Sequence, residues 1–371
     1  MSVAVQIEHR VLLASNPIDY EEWDKLVNIS PTPDTYYRPG YALAYVEESA
    51  SAIALLLRIS GRRFLVPLLL RSLSALPYAS EALDCDAITP YGYGGVLPID
   101  AGGISEEDAQ ELFEALKQWC EENRVISCML RLHPLIDLGE GFADAARKSP
   151  CVEFREHGLT AAIDLEAWDD KMRAPATINN DRRRNLLLAR RRLSVTIAPS
   201  DTLEGQSALK LFRAVYNETM QRLGAASYYV FPEEHYLRLV KGLGRRMVVA
   251  IARLEDTAVG AALFFAGDRF AHYHLSGTTT DGRRLKANTM VLVSGAEWAR
   301  ERGCSALHLG GGIAADDSLF QFKTSFGGIT HRYCFVTVIA NPVRYLELVQ
   351  LRLADFTMGI SRDGFFPEYR A

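Results

Sequence analysis

From Met247 to Gly312 the chain carries a run of elements that few folds can accommodate. Met247 to Leu254 is apolar and ends at Glu255-Asp256. Val259 to Ala266 is a second apolar run, ending at Gly267-Asp268. Phe270 to Ser276 is a third, in which Phe270, His272 and His274 alternate with Ala271, Tyr273 and Leu275. Runs of this length between turn residues predict strands. A helical period follows from about Lys286 to Arg302, with Met290, Val293, Ala296 (or Glu297) and Arg300 on successive turns. Gly303 is placed to stop that helix. Ser305 to Leu309 predicts the next strand, which runs straight into Gly310-Gly311-Gly312.

The first half repeats this order more weakly. Ser51–Ile59 and Phe64–Leu70 predict a hairpin around Ser60-Gly61-Arg62-Arg63. Tyr91-Gly92-Tyr93-Gly94-Gly95 is a glycine-aromatic loop. A helix from about Glu106 to Asn123 and a strand from Ile126 to Leu132 lead to His133-Pro134. Helix, strand and special loop in both halves indicate a diverged internal duplication. The 371 residues suffice for two domains of ordinary size. The join is expected near Asp164-Leu165-Glu166, giving an N-terminal domain over 1–164 and a C-terminal domain over 165–341. Helices are expected at about Asp181–Leu193 and Ser207–Leu223. A last helix, about Val343–Met358 within 342–371, is expected to fold back onto the first domain.

Composition narrows the function classes. Hydrophobic residues make up 48% and charged residues 23%, so the chain is globular and not disordered. The net charge of -5 argues against a protein that coats nucleic acid, and leaves room for a local basic patch. No uninterrupted apolar stretch is long enough to span a bilayer. The start, Met1 to Arg10, does not read as a signal peptide. The six cysteines form no Cys-x-x-Cys pair and are expected to be reduced and mostly in the core, in a cytoplasmic protein.

Chemistry concentrates at the end of the second repeat. Gly310, Gly311 and Gly312 let a backbone approach a ligand closely, since no Cβ intervenes. Shortly after comes Phe320-Gln321-Phe322-Lys323-Thr324-Ser325-Phe326-Gly327-Gly328, a lone lysine among three phenylalanines. Such a lysine is partly desolvated, which sharpens its field on a bound substrate. On the residues alone, a tight turn with a surface lysine over aromatics explains the pattern equally well. Tyr91, Tyr93 and Gly94 either line a groove or pack on their sheet. Tyr273, His274 and Ser276 share one strand. His272 and His274 have no nearby carboxylate or cysteine in sequence, so a metal site is not expected; strand packing accounts for His272, and His274 is a reserve proton acceptor. Asp181 to Arg192 holds six arginines. On a helix, Arg183 with Arg190 and Arg184 with Arg191 lie two turns apart, forming either a phosphate-contacting face or a solvated one.

Leu309-Gly310-Gly311-Gly312 followed by Leu319-Phe320-Gln321-Phe322-Lys323 and Phe326-Gly327 resembles the C-terminal signature of the Fem-type aminoacyltransferases, a branch of the GNAT N-acyltransferases. The resemblance implies an α/β fold of α+β type, with two tandem GNAT-like domains, each a mixed, mostly antiparallel sheet flanked by helices. It implies transfer of an aminoacyl group from aminoacyl-tRNA to an amine of a peptide or sugar conjugate, with no resident cofactor. Lys323 carries over as the positive group at the developing oxyanion, and Phe322 shapes its pocket. Tyr91, Tyr93, Gly94, Arg38, Tyr273, Ser276 and the three glycines are the expected substrate contacts, and Arg183, Arg184, Arg190 and Arg191 the expected donor-phosphate contacts. The family's oligomeric state does not carry over.

Two departures bear on the substrates. A GNAT enzyme that uses CoA has a glycine-containing loop at the start of its main helix, whose amides hold a pyrophosphate. Here that stretch is Arg283-Arg284-Leu285-Lys286-Ala287-Asn288-Thr289, without either glycine. Members that build peptidoglycan hold a nucleotide diphosphate with basic residues. The corresponding stretches here, Tyr36-Tyr37-Arg38-Pro39-Gly40-Tyr41 and Ser227-Tyr228-Tyr229-Val230-Phe231-Pro232, are tyrosine-rich, and Arg38 is their one basic residue. They suggest a tyrosine-lined cleft for a sugar, a peptide or a natural-product scaffold. An acyl-CoA-dependent N-acyltransferase and a non-catalytic protein that binds tRNA or a precursor are the rival readings.

Overall fold

The computed structural model describes residues 8–80, 82–226, 229–312, 318–355 and 365–371. In chain order the elements are β1 (Glu8–Leu13), α1 (Pro17–Ile29), α2 (Pro39–Ala44), β2 (Ala50–Ile59), β3 (Arg62–Ser72), β4 (Cys85–Ile88), β5 (Leu97–Pro98), α3 (Glu106–Glu122), β6 (Val125–Arg131), α4 (Glu140–Lys148) and β7 (Val152–Asp164). Then come β8 (Trp168–Asp169), β9 (Ala174–Pro175), α5 (Asn180–Arg190), β10 (Ser194–Pro199), α6 (Leu203–Leu223), α7 (Glu233–Leu243), β11 (Met247–Leu254), β12 (Thr257–Ala266) and β13 (Phe270–Thr278). The chain finishes with α8 (Thr280–Arg284), α9 (Ala287–Glu301), β14 (Ala306–Gly311), α10 (Ser318–Thr324), β15 (Ile329–Ile339) and α11 (Pro342–Ala354). The expected continuation of the last helix to Met358 lies outside the described residues.

Two compact units result. Among the described residues, those within 8–32, 36–157 and 333–371 form the first, and those within 33–35 and 158–332 the second. The chain changes unit inside β7, and again inside β15.

The first unit orders its strands β1-β2-β3-β4-β6-β15. Ser60 and Gly61, both at positive φ, make the two-residue turn between β2 and β3, which the right-handed strand twist favours. The turn is thus shorter than expected, and Arg62 and Arg63 already belong to β3. The Ser105 hydroxyl caps α3 by accepting from the Asp108 amide, and three acidic residues fill its first turn. Within this unit α11 places Tyr345 and Leu348 against Leu73, Leu76 and Ile126.

The second unit orders its strands β7-β14-β13-β12-β11-β10. α9 crosses this sheet, burying Ala287, Val291, Leu292, Ala296 and Ala299. Thr289, Val293 and Gly295 are buried as well, so the helix is enclosed on most sides. The expected stripe through Met290 and Arg300 is off by about one residue, because a helix this enclosed has no clean apolar-polar contrast to read. Gly303, at φ +82°, stops it as expected: the amides of Gly303 and Cys304 bond back to Arg300 and Ala299. The six cysteines are all free; Cys120, Cys128 and Cys304 are buried and the others half-buried. Among the described residues no helix is long and apolar enough to cross a membrane.

Small residues set how closely α8 and α9 approach β12. A Cβ on Gly282 would stand 1.9 Å from the Val259 carbonyl oxygen, and one on Gly260 would stand 2.8 Å from the Ala287 Cβ. The first obstacle is backbone, which cannot rotate away. Gly282→Ala is therefore expected to lower unfolding free energy by about 1–3 kcal/mol through overpacking. Urea unfolding checks this; unchanged stability refutes the close approach.

Candidate active site

β14 shapes the site by pairing differently on its two sides. Its parallel ladder with β13 runs only through Phe270↔Ala306, Ala271↔Leu307 and His272↔His308. β13 continues to Thr278 without it. On the other side β14 stays with β7, through Gly310↔Ala161 and Gly311↔Thr160, after a slip between His308 and Gly310. Gly310 makes that slip at φ +75°, a conformation that disfavours side chains. β13 and β14 therefore part beyond His272 and His308. A Cβ on Gly311 would stand 3.0 Å from the Leu159 carbonyl oxygen. Gly311 thus serves close approach to a neighbouring strand. Gly312 follows, exposed.

Lys323 is anchored at this parting. It lies on α10, is buried, and its Nζ donates to the Gly311 carbonyl at 2.6 Å. An ammonium has three N–H donors on a compact charge, so one bond to a carbonyl fixes its position without removing its charge.

Phe322, half-buried, meets Phe326 edge-on at 5.1 Å. Over it sits a group that the sequence did not single out: the Arg182 guanidinium lies 4.8 Å above the Phe322 ring and 5.9 Å from Phe326. Arg182 Nε donates to Ser325 Oγ at 2.8 Å, and that hydroxyl donates to the Phe322 carbonyl at 2.5 Å. Burial pulls the Arg182 pKa down, against the opposing charge of Asp181. Gly327 admits this packing: at φ +81°, a Cβ there would overlap Thr177, 2.1 Å from its Oγ1. No periodicity links residues this far apart in sequence, so Arg182 and Thr177 were not legible beforehand.

On β13, Tyr273 packs on Phe264, and burial raises its pKa to about 12, with the Ser276 hydrogen bond opposing. His274 lies 4.3 Å from the Phe265 ring. Burial, then the nearby His235 and His272, push its pKa well below the usual histidine value. It is therefore neutral at neutral pH, and a weak base. The view that His272 has no carboxylate near it is corrected: Asp34, 238 residues away in sequence, meets His272 Nε2 at 2.7 Å, and both side chains are buried. Asp34 lies in the short 33–35 segment that belongs to this unit, and Gly267 leaves room for it.

The arginine helix, α5, holds less uniform donors than its sequence implies. The two terminal nitrogens of Arg190 donate to the carbonyls of Met172 and Arg173, the latter at 2.8 Å, so Arg190 is tied to its own unit. Arg184 pairs with Asp181 on the surface. Arg183 is half-buried, and Arg191 is exposed just past the helix.

In the first unit, Tyr36, Tyr37 and Tyr41 prove to be core residues and do not line an open cleft. Tyr37 donates to the Gly94 carbonyl, and Tyr41 to the Tyr91 carbonyl at 2.6 Å. Tyr91 remains exposed and stacks on Tyr45; Tyr93 is half-buried against Tyr36 and Tyr333. Arg38 is buried and tied to α1, with Nη1 2.7 Å from Asp24 and Nη2 2.9 Å from Asn28. The α1 carboxylate and amide thus hold its two terminal nitrogens. Ser227 and Tyr228 lie outside the described residues.

Known proteins share this fold. Residues 176–324 match the family model described as an acetyltransferase (GNAT) domain. The crystal structure of FemX superposes with a TM-score of 0.68 at 14% identity, covering 88% of this chain and 98% of that one. The fold is a tandem GNAT fold of the Fem type. A tandem GNAT protein from the clavulanic acid biosynthesis pathway aligns at a TM-score of 0.51 and 12% identity, over 91% of this chain and 99% of that one. The C-terminal domain of a putative lysylphosphatidylglycerol synthetase from Agrobacterium fabrum aligns at 0.54 and 13%, over 86% and 92%. No curated protein matches the sequence. The residues matched by the acetyltransferase (GNAT) model therefore contain the parting of β13 and β14, α5 and α10.

The depressed pKa of His274 has a consequence for stability. Below its ordinary value of 6.5 the unfolded chain takes up a proton that the folded site refuses, so folding stability falls as pH drops through that range. Between pH 7 and 5.5 the wild type should lose about 1 kcal/mol more than His274→Asn. Denaturant titrations at the two pH values check this, and equal losses refute the shift.

Proposed function

We propose that the protein is an N-acyltransferase that moves an aminoacyl group from aminoacyl-tRNA to the amine of a peptide or sugar conjugate, in the cytoplasm where charged tRNA is available. The observation that carries this reading is Lys323, held by the Gly311 carbonyl where β13 and β14 part. An aminoacyl ester is already activated, so no covalent nucleophile is required. The acceptor nitrogen bonds to the acyl carbon, and the ester bond to the ribose oxygen breaks. One proton leaves the amine, and one reaches the departing oxygen. Charge develops on the carbonyl oxygen, and a fixed ammonium stabilises it more than it stabilises the neutral ester.

Lys323→Ala is expected to lower turnover about a hundred- to thousandfold with little change in acceptor binding. Full turnover by this variant removes the role. If His274 relays the amine proton, His274→Asn should lose about 10²–10⁴ in rate. A loss below about tenfold assigns the proton to solvent or to the leaving group.

Arg183 and Arg191 are proposed to contact donor phosphates. For a tRNA donor, Arg183→Gln with Arg191→Gln should lower the slope of log K against log salt by about 1.5. An acyl-CoA donor is the second reading, favoured by the acetyltransferase description of the matched model. Titration of uncharged tRNA at two salt concentrations, alongside an acetyl-CoA turnover assay, separates them. No tRNA binding at low salt together with acetyl-CoA turnover overturns the first reading.

A further inference from the structure

The first unit has its own parting strands, and an unpaired charge lies there. β4 and β6 pair in parallel through Cys85↔Val125, Ala87↔Cys128 and Ile88↔Met129. Beyond that point β4 ends. The Arg131 amide donates to Thr89 Oγ1 at 3.0 Å, the Gly94 amide donates to the Arg131 carbonyl at 2.8 Å, and Gly94 forms a parallel bridge with Leu132. The Tyr91–Gly95 loop is thus laid along the end of β6. Gly92 and Gly95 are required for this. Both have positive φ, and a Cβ on either would stand 2.8 Å from a neighbouring side chain, Tyr36 or Leu132.

Among the described residues the Arg131 guanidinium makes one hydrogen bond, from Nη1 to the Thr89 carbonyl at 2.9 Å. Among the described residues no carboxylate pairs with it. Other arginines of this unit differ: Arg38 meets Asp24, while Arg71 and Arg370 share Asp86. Burial lowers the Arg131 pKa, and the groups that act on it or feel its charge include Tyr333, Arg71, Tyr91, Tyr41 and His157. Tyr333 in turn meets Tyr93 at 4.9 Å and donates to the Gly92 carbonyl. A half-buried guanidinium that no carboxylate neutralises keeps the rest of its donor fork for an anion, and among the described residues none is supplied.

We propose that Arg131, beside the Tyr91–Gly95 loop, binds a carboxylate of the acceptor, with the tyrosines as walls for the atoms next to it. This rests on the reading of that loop as the acceptor side. A carboxylate is favoured over a phosphate because a single unpaired guanidinium offers one positive charge and a planar fork, which matches a planar monoanion. Arg71 is already neutralised by Asp86 and adds no second charge. The substrate class is then an amine-bearing conjugate that also carries a free carboxyl group.

Hippurate, its neutral amide hippuramide and phenyl phosphate serve as probes, followed by amide shifts in 15N-labelled protein. Hippurate should shift the amides of Tyr91 to Gly95 and Arg131, and bind at least about tenfold more tightly than hippuramide, the ratio expected of a charged hydrogen bond. Arg131→Gln should erase that preference. Arg131→Lys, which keeps the charge if the Gln variant fails to fold, should weaken hippurate binding yet retain the preference. Equal binding of hippurate and hippuramide, or a preference that survives in Arg131→Gln, overturns the proposal. Arg131-dependent binding of phenyl phosphate tighter than that of hippurate overturns the carboxylate assignment. The titration involves no donor and no turnover. Absence of acyl transfer therefore tests only the proposed activity, and loss of the hippurate preference tests only this site.

Discussion

The parallel ladder between β13 and β14 is only three residue pairs long, and the features of the second unit follow from where it stops. A longer ladder would close the sheet and leave no place for a reactive group. Gly310 ends it by adopting a conformation that disfavours side chains, and β14 turns its remaining hydrogen bonds to β7. The Gly311 carbonyl then faces α10 and takes the Lys323 ammonium. A sheet defect and the fixing of a charge are thus one event in the chain. A side chain at position 310 would disturb both.

Arginine chemistry explains how the surroundings of Lys323 are held. Arg182 reaches from α5 to the Phe322 and Phe326 rings and to Ser325, which ties α5 to α10 by a stacked cation and a hydrogen bond. A planar guanidinium suits this double role and a lysine does not. Arg190, on the same helix, secures the carbonyls of Met172 and Arg173. A run of arginines that looks uniform in sequence is therefore divided. Some members hold the helix in place, and others stand exposed beside it.

β11, β12, β13 and β14 were legible because each is a short apolar run between glycine or acidic turns, and β11 matches its expected bounds from Met247 to Leu254. Lys323 was legible because its aromatic neighbours lie within a few residues. β7 and β15 were not read. Their outer portions are half exposed, with polar residues such as Glu153, Arg155 and Arg332 breaking any alternation. Asp34 was invisible for a different reason: its partner His272 is fixed by tertiary packing, and nothing within either local sequence marks the pair. The tyrosines at 36, 37 and 41 misled in the opposite direction. A tyrosine can bury its ring and still satisfy its hydroxyl on a carbonyl, so tyrosine content does not by itself distinguish a cleft from a core.

The two units treat the same topological event differently. Each brings a strand back to its sheet through a helix, pairs it briefly in parallel, and then lets the strands part. In the second unit the parting is kept open by glycines and carries a lysine steadied by a neutral carbonyl. In the first, a glycine-tyrosine loop is laid into it, pinned by the Gly94 bridge and by the hydroxyls of Tyr37, Tyr41 and Tyr333. A loop held by that many bonds is rigid before any ligand arrives, and pre-organisation of this kind suits recognition. The lysine site suits chemistry, because a compact ammonium acts on any oxygen that becomes negative without demanding a particular shape around it. The two openings share a topology, and the residues that fill each set its chemistry.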